Sequence, residues 1–327
     1  MIKRYSIGLP DGRFQCLLCP NGCILSLGEI GKCQARQCSE EGVIASSYGC
    51  LVNVTAEPIE KKPIYHFKPG AKVLSIGSVG CSMNCVYCEN HKISQPEQNQ
   101  EHVHFSPSGV VKVAEERKCS GVCMTYNEPT ISYEYLMDLS EKCHKSGLFL
   151  AIKTNGYVNT SPWSDICSAV DAINIDYKGP FNKIGAITGL QSDSILRILA
   201  NISYAMRIVH TELSLPVFYN TELKDFNLLF DIIKDINIFT PIHLLRIFPS
   251  YRLLEDPVTD DDLIIMKKQV NEVFPFVYLQ NVFSAEGILC RTTFCPKCKR
   301  PVLSRKSLIT DSYLDDCCGE MKKHLII

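Results

Sequence analysis

Short apolar runs alternate along the middle of the chain with longer segments in which apolar residues return every three or four positions. The runs Val73–Ser78, Gly121–Asn127, Leu148–Asn155, Ala172–Lys178, Ile208–Phe218, Ile242–Phe248 and Phe276–Asn281 read as strands. Between them, helical periodicity is clearest at Pro107–Lys118, Ile131–Lys145, Asp193–Met206, Lys224–Asn237 and Asp260–Val273. Six or seven such βα units predict a mostly parallel sheet with helices outside it, in an incomplete or full barrel. Right-handed crossovers leave little topological freedom. Residues 1–70 are expected to form a Cys-rich amino-terminal segment, 71–285 the barrel, and 286–327 a Cys-bearing tail without βα character.

Polar residues gather where the expected strands end. A three-cysteine loop follows the first, Thr125-Tyr126-Asn127-Glu128-Pro129 the second, and Lys153-Thr154-Asn155-Gly156 the third. Asp176-Tyr177-Lys178 closes the fourth, and Arg246, Phe248 and Pro249 close the sixth. The carboxyl ends of barrel strands are where active sites form. Singly, each motif also reads as an ordinary turn or helix start. Together on one face they predict a site, with Arg246 as a further cofactor-binding candidate.

Composition narrows the function. The chain has 327 residues, a formal net charge of −1 and 46% hydrophobic residues, which argues for a globular protein and against a nucleic-acid-binding surface. No apolar run approaches the ~20 residues of a membrane span. The first residues lack the apolar core of a signal peptide, so a cytoplasmic location is expected. Of 18 cysteines, five lie in 16–38, three in 81–88 and five in 290–318, at ligand-like spacings that favour metals over disulfides.

Cys81-x3-Cys85-x2-Cys88, with Gly80 before it and Tyr87 inside it, is the sharpest signal. Three soft thiolates can hold three irons of a 4Fe–4S cubane and leave the fourth open to a small molecule. A zinc knuckle or a set of buried thiols is the plainer alternative, but zinc prefers four ligands.

This spacing resembles the radical S-adenosylmethionine (SAM) superfamily, and the motifs beyond it resemble the activating enzymes of pyruvate formate-lyase, whose fold is a partial (β/α)6 barrel. The resemblance implies that the open iron chelates SAM, whose reductive cleavage gives a 5′-deoxyadenosyl radical. Glu128, within Tyr126-Asn127-Glu128-Pro129, matches the carboxylate that grips the SAM ammonium, and Thr154-Asn155-Gly156 a turn that seats SAM. Asp176 and Lys178 match an Asp-Leu-Lys element, implying Asp176 near the reaction centre and Lys178 at the SAM carboxylate. Tyr87 matches an aromatic that contacts adenine. The closest resemblance is to the AmmeMemoRadiSam system branch, through the amino-terminal cysteines and Pro58 to Phe67. The chain departs from the activating enzymes at Lys153, where they carry an Asp that helps hold a monovalent cation; the lysine ammonium can take that place. It departs from the branch at Cys88-Glu89-Asn90-His91, where Cys-Gln-Asn-Trp is usual.

Two outlying cysteine groups remain. Cys16, Cys19, Cys23 and Cys33 suit a closed metal site, either structural zinc, the preferred expectation, or an auxiliary iron–sulfur cluster. Cys295 and Cys298 form a zinc-ribbon knuckle. Their partners Cys317 and Cys318 are adjacent and would point apart in an extended segment, so Cys318 alone is expected to ligate. His66, His91, His210 and His243 are weak candidates for substrate contact. The expected function is hydrogen abstraction by a SAM-derived radical, with an electron donor of flavodoxin or ferredoxin type. The substrate is either a glycine in a partner protein, as for an activating enzyme, or a small molecule or other macromolecule. A metal-binding scaffold without catalysis is the distant alternative.

Overall fold

The apolar runs do form strands, and almost all of their residues are buried because helices cover the outside and side chains fill the inside. The computed structural model describes residues 5–96, 102–179, 183–191, 193–305, 310–314 and 317–327. Its central sheet contains β1 (Asn53–Pro58), β2 (Lys72–Gly77), β3 (Gly121–Met124), β4 (Phe149–Thr154), β5 (Ala172–Asp176), β6 (His210–Val217), β7 (Ile242–Arg246) and β8 (Val277–Gln280). They pair in sequence order from β1 to β8. β2 to β8 are parallel, and β1 is antiparallel to β2.

The crossovers carry α1 (Pro107–Glu116), α2 (Tyr133–Lys145), α3 (Thr160–Ala169), α4 (Ser194–Ile208), α5 (Asn227–Ile236) and α6 (Asp260–Asn271). Local chemistry starts several of them. Ser106 accepts from the Gly109 amide ahead of Pro107, and Thr259 accepts from Asp262 where three aspartates face the positive end of α6. Six βα units and a last strand therefore make a partial (β/α)6-type barrel, as expected. β1 and α3 were not expected. Asn53, Thr55 and Glu57 give β1 no apolar run, and Pro162 interrupts the helical pattern of α3.

β1 also moves the boundary that sequence put at residue 70, since residues 53–58 already belong to the barrel sheet. The segment before it forms a three-stranded antiparallel sheet (Ser6–Gly8, Phe14–Cys16, Ile24–Leu25) and a two-stranded one (Arg36–Ser39, Gly42–Ala45). Its Cys16, Leu18, Leu25, Cys38 and Val43 share the barrel's apolar core. Arg36 makes a buried two-pronged ion pair with Glu134 of α2, with both nitrogen–oxygen distances 2.9 Å.

At the amino-terminal end of the strands, residues 59–67 close the barrel like a strap. The Tyr65 and His66 amides donate to Glu212 at 2.8 and 2.7 Å, and Asn174 donates to the Pro63 carbonyl. Beneath it lies the tail, a small sheet of Thr293–Phe294, Pro301–Ser304 and Asp311–Ser312. Cys295, Val302, Leu303, Met321 and Leu325 pack there against Tyr65, Phe276 and Tyr278. With that end sealed, the opening lies at the strands' carboxyl ends. Among the described residues no helix is long and apolar enough to cross a membrane.

Candidate active site and metal centres

A cavity of about 340 Å³ opens at the carboxyl ends of the strands. That is large enough for a cofactor-sized ligand. Cys81, Cys85, Tyr87, Cys88, Tyr126, Asn127, Glu128, Thr154, Asn155, Asp176 and Lys178 all line it. One face therefore collects nearly all of the expected site residues.

The cysteine loop is held by its backbone. Asn127 accepts from the Ser78 amide and donates to the Val79 and Gly80 carbonyls. Cys81 N–H donates to the Cys33 carbonyl at 3.0 Å, and Asn84 and Val86 donate to Thr188 and Ile187. Gly80 has φ +85°, and a Cβ there would meet the Cys33 oxygen at 2.3 Å. Burial raises two of the thiols: Cys85 is pushed up to about 11, and Cys81 stands well above its ordinary value. Such thiols stay protonated until a metal displaces the proton.

Glu128 is buried, and burial raises its carboxyl against the donors that lower it. Oε1 accepts from the Thr130 amide and hydroxyl and from the Thr154 hydroxyl, while Oε2 accepts from the Asn155 amide at 2.8 Å. Asn155 in turn donates to Ser82 Oγ and, more weakly, to Cys81 Sγ. Glu128 thus clamps the turn after β3 to the turn after β4 and keeps one acceptor position on Oε2. Asn127 and Asn155 support the cysteine loop itself, a role that sequence did not separate from ligand contact.

Asp176 lies between two lysines. Lys153 Nζ bonds one oxygen and also the Asn174 side chain, and Lys178 Nζ bonds the other oxygen at 2.8 Å. Burial opposes ionisation of Asp176, but the two ammonium groups outweigh it and hold the carboxyl down at about 2. Burial likewise works against the charge of Lys178, yet Asp176 keeps it well above the ordinary lysine value. Its Nζ is 5.7 Å from the Tyr87 ring centre. The Tyr87 hydroxyl is buried without a hydrogen-bond partner, an acceptor and donor left open at the cavity.

Arg246 departs from expectation. Its guanidinium is committed to Asp260 and the Asn281 carbonyl, beside Phe248 and Phe283, and it does not line the cavity. A long side chain at the end of β7 can reach back to the start of α6, which the strand-end pattern could not reveal. Tyr126 has φ +72° and gives its hydroxyl to Glu57, so its ring edges the cavity while its polar atom points to β1. The four candidate histidines make contacts within the fold and do not line the cavity: His210 and His243 bond Glu212, His66 bonds Tyr278, and His91 stacks on Tyr251.

Sequence overlooked Lys62. It lines the cavity, pairs with Glu57 at 2.6 Å and lies 4.3 Å from the Tyr126 ring centre. Its signal was available in the paired lysines of the Pro58–Phe67 motif. Cys317 was also set aside. In the tail, Cys295, Cys298, Cys317 and Cys318 present sulfurs that all lie within 4.8 Å of one another. The turn at Cys317-Cys318 brings the adjacent thiols together, so Cys317 joins Cys318 among the candidate ligands, where sequence expected Cys318 alone. Cys16, Cys19, Cys23 and Cys33 line a second, closed cavity beside Arg36.

Comparison with known proteins bears on this geometry. The model of the Radical SAM superfamily matches residues 75–232. An uncharacterised protein of Methanocaldococcus jannaschii is 31% identical over 326 residues, spanning 95% of this chain and 96% of that one. A 7-carboxy-7-deazaguanine synthase of Methanospirillum hungatei is 27% identical over 47% of this chain and 68% of its own length. A 4-hydroxyphenylacetate decarboxylase activating enzyme of Clostridioides difficile is 29% identical over 53% of this chain and 55% of its own.

Proposed function

The chain belongs to the radical SAM superfamily, and from that premise we propose that its cavity binds a 4Fe–4S cluster through Cys81, Cys85 and Cys88 together with SAM. When bound, the cluster and SAM supply a 5′-deoxyadenosyl radical that takes a hydrogen atom from the substrate. The observation that carries the reading is the convergence of the three thiols, the clamped Glu128 and the Asp176–Lys178 pair on one closed-based cavity.

The residues do positioning work rather than proton transfer. Oε2 of Glu128 keeps an acceptor position for the SAM ammonium, Lys178 would take its carboxylate, and Tyr87 lines the same cavity. Asp176 stays ionised and fixes Lys178; it is no acid catalyst. Lys153 puts an ammonium between Asn174 and Asp176, where the activating enzymes use a monovalent cation, so this chain is expected to need none.

For the substrate, the activating-enzyme reading rests on the motif matches and the Clostridioides relative: a glycine of a partner protein gives up the hydrogen. A small-molecule substrate is the second reading, favoured by the Methanospirillum relative. A flavodoxin- or ferredoxin-type donor supplies the electron in either case. The tail's four thiols form a zinc site in this reading. Eighteen cysteines without a disulfide fit a reducing, cytoplasmic setting.

Anaerobic reconstitution followed by measurement of deoxyadenosine from SAM tests the proposal. Reductant-dependent deoxyadenosine is expected, and changing Cys81, Cys85 and Cys88 to Ala should abolish it. Equal yield from that triple variant would refute the assignment.

A further inference from the structure

Cys16, Cys19, Cys23 and Cys33 face one cavity, yet they are not spaced like the ligands of one ion. Sulfurs around a single zinc lie about 3.8 Å apart, given Zn–S bonds of ~2.3 Å in a tetrahedron. The tail thiols meet that spacing, with Cys295–Cys318 at 3.7 Å and Cys298–Cys317 at 3.9 Å. Among the described residues theirs is the one cluster of three or more candidate ligand atoms mutually within 4.8 Å. No three of the amino-terminal thiols come so close. Cys81, Cys85 and Cys88 do not either. A cubane puts each terminal thiolate on a different iron, so its ligands must stand farther apart than those of one ion.

One wall of this cavity carries a buried donor without an acceptor. Arg36 lines the cavity and is 2% exposed. Its Nη atoms are taken by Glu134 and the Ile131 and Val43 carbonyls, but its buried Nε has no hydrogen-bond partner. A fully enclosed N–H without an acceptor is costly unless a ligand supplies one. Zinc-bound thiolates would accept from it as well as cluster sulfides, so this donor marks a metal–thiolate centre, and the wide spacing of the thiols is what selects a cluster over a single ion.

We propose that Cys16, Cys19, Cys23 and Cys33 hold a second 4Fe–4S cluster, not a structural zinc, and that Arg36 Nε donates to a sulfur of that cluster. The site has four protein ligands and so no open iron for SAM. It abuts the first: the Cys33 carbonyl accepts from the Cys81 amide, and Asn21 donates to the Ser82 carbonyl at 2.9 Å.

The test removes the first cluster so that the readout concerns only the second. The Cys81→Ala, Cys85→Ala, Cys88→Ala chain, reconstituted anaerobically, should retain about four irons and about four sulfides. Its reduced form should give an iron–sulfur EPR signal that SAM does not alter. Adding Cys23→Ser should remove that signal while circular dichroism shows the barrel intact. The Arg36→Lys variant keeps the charge but loses the Nε donor, and should shift the signal's midpoint potential to a more negative value. Zinc without iron in the triple variant, with about two zincs per chain in all, would overturn the cluster. An unchanged potential in Arg36→Lys would overturn the part given to Arg36. Loss of SAM cleavage by the wild type would leave this iron count unaffected, so the two proposals fail separately.

Discussion

Asp176 shows how two neighbours can set one residue's role. A carboxyl held at about 2 lies below the ~3.9 of an unfolded aspartate, so its ion pairs contribute fully above that value. Their contribution is lost only as pH falls toward 2, and stability should be flat in this respect between pH 5 and 8. Asp176→Asn leaves the Lys153 and Lys178 ammonium groups side by side. The side chains keep 14% to 20% of their surface, so the expected cost is about 2 kcal/mol, below the ~3–5 kcal/mol of a fully enclosed broken pair. Adding Lys153→Met should recover part of it; urea unfolding of the wild type, both single variants and the double variant measures the cycle, and an additive double variant would deny the coupling. At Glu128 the interaction at stake in the proposal is with the SAM ammonium. Glu128→Gln removes the charge and turns an N–H₂ group toward donors that need an acceptor. A charged hydrogen bond of ~1.5–3 kcal/mol corresponds to SAM binding roughly ten- to a hundredfold weaker by equilibrium titration. Unaltered affinity would place the ammonium elsewhere. Residue types and spacing made the Glu128, Asp176 and Lys178 cluster legible. The hydrogen bonds that make Asn127 and Asn155 supports for the cysteine loop, or carry Arg246 away to Asp260, depend on turns that no spacing encodes.

Elements were legible where burial writes a pattern. The seven parallel strands are largely buried on both faces, and their runs appear in sequence nearly at their observed ends. β1 is an edge strand whose exposed Thr55 and half-buried Asn53 leave no such run; only its pairing with β2 reveals it. The loop after β2 illustrates what an element's backbone can demand. Gly80 brings the chain against the amino-terminal segment at φ +85°, where a side chain would be strained and would strike both the Cys33 oxygen and, at 2.8 Å, the Ala35 methyl. Gly80→Ala should therefore push the cysteine loop off its seat without touching the barrel core. The expected result is a folded protein by circular dichroism whose reconstituted iron content and deoxyadenosine yield both fall severalfold. Normal iron loading would mean that the loop tolerates the displacement and that the Cys33–Cys81 contact is dispensable.

The whole molecule separates its chemistry from its closure. The cavity lies at the carboxyl ends of the strands, and the strap of residues 59–67 and the cysteine tail close the other end. The tail has few apolar residues of its own and leans on Tyr65, Phe276 and Tyr278, so it would order poorly without a cross-link. Four thiols at single-ion spacing would provide one by holding the proposed zinc. They tie down Arg305, which reaches the Tyr65 carbonyl, and the last turn, where His66 meets the His324 carbonyl. Yet the strap's firmest anchors, Glu212 and Asn174, belong to the barrel. Removing the zinc proposed here, by chelation or by Cys298→Ser, should thus loosen residues 290–327 first. The expected outcome is about one zinc lost per chain, new protease cleavage confined to the tail and a lower melting temperature, with SAM affinity kept within about twofold. If SAM binding collapsed together with the zinc, the barrel would depend on its tail to hold the cavity floor at Lys62 and Pro63, and the two ends could not be treated as separate.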